Sequence, residues 1–103
     1  MSPLTLKQTV TSIKALEPQL RACGVARLRL FGSVLRDQAG PESDVDLLIE
    51  FRPGAKTYRH FFDVAEMLEA KLGRRVELVT PESLSPFIGP RILAEAQDVL
   101  RAA

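Results

Sequence analysis

Between Val45 and Thr80 the chain runs through an apolar stretch, a turn, a helical stripe and a second β-branched stretch, an order that leaves few folds open. Val45 to Phe51 reads as a strand, Pro53-Gly54 as the turn after it, and Val76 to Thr80 as a further short strand closed by Pro81. Between them Thr57 can cap a helix whose buried stripe is Tyr58, Phe61, Phe62, Ala65, Leu68 and Leu72, with Lys71 in its last turn and Gly73 at its end. A strand, helix, strand series is a crossover, so the two strands should lie parallel in one sheet.

The flanks add to this unit. Ser2-Pro3 reads as a cap and first turn, and Leu6, Val10, Ile13, Leu16 and Leu20 recur at helical spacing until Gly24. Pro18 disfavours helix at Glu17 and has no N–H to donate, so a long helix and a short one are expected. Val25 to Phe31 alternates as a strand, with Val25, Arg27, Arg29 and Phe31 on one face and Ala26, Leu28 and Leu30 on the other. After a turn-rich stretch from Glu82 to Pro90, the residues Ile92, Leu93, Ala96, Val99 and Leu100 define a C-terminal helix. The expected order is α-β-β-α-β-α: one α/β (α+β) domain over residues 1–103, a small mixed sheet with helices packed on it. A chain of 103 residues has no room for a second independent core.

Hydrophobic residues make up 46% and charged residues 26%, which excludes a disordered or fibrous chain. Fourteen Lys and Arg against thirteen Asp and Glu give a net charge of +1, so no overall field draws the protein to nucleic acid or to an anionic membrane. No apolar run approaches a bilayer span, and the first ten residues lack the basic start and apolar centre of a signal peptide, so a cytoplasmic location is expected. Cys23 stands alone, which rules out an internal disulfide and reads as a small core residue.

Two short motifs carry chemistry. Asp44 and Asp46 open the second strand, and the period of two turns both to one face, about 7 Å apart along the strand. Such carboxylates repel in a partly dry site unless a hard divalent cation lies between them, Mg²⁺ being the first guess. Alone, Glu42, Ser43, Asp44 and Asp46 read first as a solvated acidic turn before a strand. Gly32-Ser33 ends the first strand, where backbone without a Cβ can approach a phosphate and the serine adds a hydroxyl; alone it is an ordinary turn. Ten residues separate Ser33 from Asp44, and the pair of motifs at this spacing should arise by chance about once in a thousand such chains.

Through Phe31-Gly32-Ser33 and Asp44-Val45-Asp46-Leu47-Leu48-Ile49 the chain resembles the minimal nucleotidyltransferases (MNT) of the DNA polymerase beta superfamily. The likeness continues through Arg36, Gly73 to Val79 and Ile92 to Ala96. It implies the nucleotidyltransferase fold, Asp44 and Asp46 as catalytic metal ligands for two Mg²⁺ ions, and Gly32, Ser33 and Arg36 at the nucleotide phosphates. A third acid, commonly Asp, lies on the strand after the central helix in that family, and Glu77 occupies the matching position. Glu77 can serve as third ligand or as an exposed strand carboxylate. Arg36-Asp37 departs from the frequent Arg-Gly, so Arg36 fits a phosphate contact or a structural salt bridge.

His60 reads as structural, Tyr58, Phe61 and Phe62 as core, Arg74-Arg75 as a solvated helix end and Arg91 as a weak candidate for a triphosphate contact. The expected chemistry is transfer of AMP from ATP to a hydroxyl. Because little chain remains for a substrate domain, the acceptor is expected on a separate macromolecule. The resemblance implies a HEPN-domain ribonuclease toxin, modified on tyrosine, in a hetero-oligomer with this chain as its antitoxin. The alternatives are an antitoxin that masks the toxin without chemistry, or transfer to a small molecule or an RNA end.

Overall fold

A computed structural model describes residues 4 to 101, and the cap expected at Ser2-Pro3 lies outside them. The first helix, α1 (Leu6–Ala15), is capped reciprocally: the Thr5 hydroxyl accepts from the Gln8 amide at 3.1 Å and the Gln8 side chain accepts from the Thr5 amide at 3.1 Å. A second helix, α2 (Glu17–Ala22), begins at the expected break, with Pro18 in its first turn where a missing N–H leaves no bond unmade. Strand β1 (Val25–Phe31) passes straight into the one-turn helix α3 (Gly32–Leu35), where only a turn was expected. The chain continues through β2 (Val45–Phe51), α4 (Tyr58–Leu72), β3 (Val76–Val79), a 3₁₀ turn at Pro81–Ser83, α5 (Gly89–Glu95) and β4 (Gln97–Leu100).

The four strands form one mixed sheet in the order β3-β2-β1-β4. The βαβ unit comes out as expected, with β2 and β3 parallel, whereas β1 runs antiparallel to both β2 and β4. Val25, Leu28, Leu30, Val45, Leu47 and Ile49 of the central strands join Ile13, Leu20, Val64 and Leu68 of the helices in the main core. Alternation then sends Asp44, Asp46 and Glu50 to the other face, with the buried Leu48 between them.

Two expectations fail. The C-terminal helix stops at Glu95; Ala96 turns extended, and Val99 and Leu100 enter the sheet as β4, both buried. Five apolar positions from Ile92 to Leu100 match helical spacing, but a four-residue strand is too short to show its own period, and the free edge of β1 takes it up. The stripe of α4 is also rotated. Val64, Leu68 and Leu72 are buried and Phe61 half-buried, whereas Tyr58 is 87% and Phe62 52% exposed. Aromatic bulk draws the expected stripe towards the first turn, but the crossover helix is buried chiefly along the i+4 row from Val64, with Phe61 and Met67 packed at its side.

Candidate active site

Asp46 is the second residue of the central strand β2, registered against Phe31 of β1 on one side and Glu77 of β3 on the other. Asp44 precedes it by two residues and so shares its face, as does Glu77 through the parallel register. Partial burial, the Glu77 charge and carboxyl contact, and the Asp44 charge together push the Asp46 carboxyl up to about 6, while Arg36 works in the opposite direction. The three acids expected from the sequence are thus gathered at one end of the sheet, and their negative charge exceeds what nearby cations compensate.

Gly32 closes the other side of this group. Its φ of +80° lies in the region that glycine tolerates, and a Cβ built there would collide with the Asp46 carboxylate oxygen and lie 3.0 Å from its Cγ. The glycine of the Gly-Ser turn is therefore the floor on which the Asp46 carboxylate rests. Ser33 follows in the first turn of α3, half-buried, with its carbonyl accepting from the Gln38 amide at 2.8 Å.

Arg36 stands at the end of α3, and its Nη1 donates to Glu95 Oε1 of α5. The other oxygen of Glu95 accepts from the Gly32 amide at 3.4 Å. Of the two roles open to Arg36, the salt bridge is formed. Asp37 explains the departure from Arg-Gly: it holds a positive φ of 56°, which Asp tolerates better than most residues, and its Oδ1 accepts from the Leu6 amide at the start of α1 at 3.1 Å. The carboxylate thus does what glycine cannot, tying the loop to the first helix.

Sequence reasoning missed Glu95. One signal marked it: an acid in the last turn of a helix sits against the negative end of the dipole, a position that needs a partner elsewhere. It missed as well the charged group at the opposite end of the same strands, where Arg27 bonds Asp98 at 2.6 Å and Arg29 bonds Glu50 at 2.9 Å. His60 takes the structural place expected of it, half-buried with Nδ1 2.7 Å from the Ala55 carbonyl. Arg75 and Arg91 are exposed, Arg74 donates to the Gly40 carbonyl at 3.2 Å, and Cys23 is a half-buried free thiol.

Carboxylate oxygens alone, with uncompensated charge, suit a hard divalent cation rather than a transition metal that prefers nitrogen or sulfur. Among the described residues no three acidic, histidine or cysteine side chains converge as a ready-made cage, so the acids stand adjacent and a cation would have to draw them together. Among the same residues no helix is long and apolar enough to cross a membrane.

Comparison with known proteins agrees with this geometry. The family model of the nucleotidyltransferase domain matches residues 6–99. The protein adenylyltransferase MntA of Thermococcus cleftensis is 38% identical over 96 residues, covering 92% of this chain and 96% of that protein. A solved structure described as a minimal nucleotidyltransferase superposes with a TM-score of 0.79 at 33% identity, covering 91% of this chain and 95% of the other. The fold also matches, with a TM-score of 0.65 at 18% identity, a structure of a tri-AMPylated Shewanella oneidensis HEPN toxin in complex with its MNT antitoxin, over 95% of this chain and 74% of that one. A glycine-serine turn bearing on an aspartate pair, in a chain matched along nearly its whole length, places this protein in the nucleotidyltransferase domain family.

Proposed function

We propose that the chain transfers AMP from ATP to a hydroxyl, a tyrosine, on a HEPN-domain toxin with which it forms a hetero-oligomer, and so acts as that toxin's antitoxin. The observation that carries this reading is the seat of Asp46 on Gly32, with Asp44 on the same face and Glu77 beside it on β3. The name of the Thermococcus relative and the modified toxin in the Shewanella complex support the acceptor class.

The acceptor oxygen forms a bond to the α-phosphorus of ATP, the bond from that phosphorus to the bridging oxygen of the β-phosphate breaks, and pyrophosphate leaves. The hydroxyl proton passes to the carboxylate of Glu77, which is exposed and stands beside Asp46 on the neighbouring strand. Ser33 and the turn at Gly32 receive the β- and γ-phosphates, and the remaining guanidinium donors of Arg36 add positive charge beside them. Asp44 and Asp46, with Glu77 alongside, would hold Mg²⁺, which when bound neutralises phosphate charge and makes the attacking oxygen more acidic. Rate enhancement then comes mainly from positioning and charge stabilisation, which is why a small rigid sheet end suffices.

Purified toxin incubated with this chain, ATP and Mg²⁺ should gain the mass of AMP on tyrosine, and Asp44→Ala should abolish the gain. Toxin that is neutralised by Asp44→Ala with no mass change would replace this reading with masking by binding alone.

A further inference from the structure

Glu95 makes two contacts across the molecule: to the guanidinium of Arg36, 59 residues away in sequence, and to the Gly32 amide, 63 away. Both partners belong to the turn that the proposed function assigns to the nucleotide phosphates, so the role of Glu95 rests on that reading. We infer that Glu95 is a positioning residue for nucleotide binding, holding Arg36 and the Gly32 turn in the arrangement that receives the phosphates.

Three observations support it. Glu95 sits in the last turn of α5, where the helix dipole opposes a negative charge, so its placement gains nothing locally. The Arg36 side chain is 50% exposed and follows a helix of only one turn, and Glu95 is the ion-pair partner that restrains it. Arginine has five N–H donors in a rigid fork, and an acid engaging one end leaves the rest available. A half-exposed arginine near Asp46 would otherwise swing onto that carboxylate, lose its aim at a phosphate and compete with a cation for the same oxygens. Glu95 holds it from the far side, and through the Gly32 amide it fixes the turn on which Asp46 rests.

The test reads binding, with no turnover needed. Purified protein is titrated calorimetrically with AMP-PNP in the presence of magnesium, and thermal unfolding is recorded for every variant. Glu95→Ala should weaken binding about tenfold, and Glu95→Gln, which keeps an acceptor but loses the charge, about threefold. In an Arg36→Ala background, Glu95→Ala should lose much less than it does in wild type, because only its contact with the Gly32 amide is left to remove. Unchanged or tighter binding by Glu95→Ala, or losses that multiply in the double variant, would overturn the inference. If Glu95→Ala loses its cooperative unfolding transition, Glu95→Gln decides the matter alone, and unchanged binding there overturns it. Wild-type protein that binds no AMP-PNP would remove the proposed function and this inference together, whereas wild-type binding with indifferent variants would remove only the inference.

Discussion

Gly32 and Asp46 constrain each other more tightly than any other pair at the site. Gly32→Ala must strain a backbone at φ +80°, at a cost of about 1–2 kcal/mol, and must also displace the Asp46 carboxylate. A catalytic group moved by about 1 Å loses roughly a hundredfold in rate, so Gly32→Ala should lose AMP transfer out of proportion to its small fall in urea midpoint. Asp46 has its own signature. A carboxyl held up at about 6 weakens the fold once the pH exceeds the ordinary carboxylate value near 4, and the penalty grows until about pH 6. Asp46→Asn should therefore be more stable than wild type at pH 7 without magnesium, by about 1–2 kcal/mol after solvent screening, with the difference vanishing below about pH 4. Urea midpoints across that range check it. Gly32, Ser33, Asp44 and Asp46 were legible because strand alternation and fixed spacing are local properties. Glu95 was not, because its partners lie about sixty residues away and no local pattern announces them.

At the scale of elements, the parallel βαβ unit could be read directly, since a fifteen-residue amphipathic helix between two β-branched runs allows little else. The last strand could not. Apolar residues at Val99 and Leu100 satisfy both periods, and the choice between them is made by the unpaired edge of β1, a tertiary fact. Leu100 is buried there, so Leu100→Ala should cost about 2–4 kcal/mol by chemical denaturation, a loss that an end-of-helix leucine would not show. β4 is also pinned by charge. The hydrogen bond from Arg27 holds the Asp98 carboxyl below the usual carboxylate range, so the pair stabilises the sheet above that range and stops doing so as the pH falls through the lowered value. Asp98→Asn should flatten the acid limb of the stability profile below about pH 4.

Over the whole molecule, helices supply the main core from one side of the sheet and leave the acids at one end of the other. Surface clefts along α4 are lined by Tyr58, Arg59, Phe62, Asp63 and Glu66 or by residues including Phe61, Leu78 and Thr80, and none of the three carboxylates lines them. The acid-bearing end of the sheet therefore lies outside these clefts. Phe87, 94% exposed on the segment leading into α5, adds nothing to this core. Phe87→Ser should change the unfolding free energy by less than about 0.5 kcal/mol.

The bond from the Leu6 amide to Asp37 makes the first helix a mechanical extension of the loop that carries Arg36. A rearrangement of that loop that breaks or lengthens this bond should be felt at the start of α1. The Leu6 amide can therefore serve as a built-in gauge: its proton exchange with deuterated solvent would register occupancy from a spot well outside the chemistry.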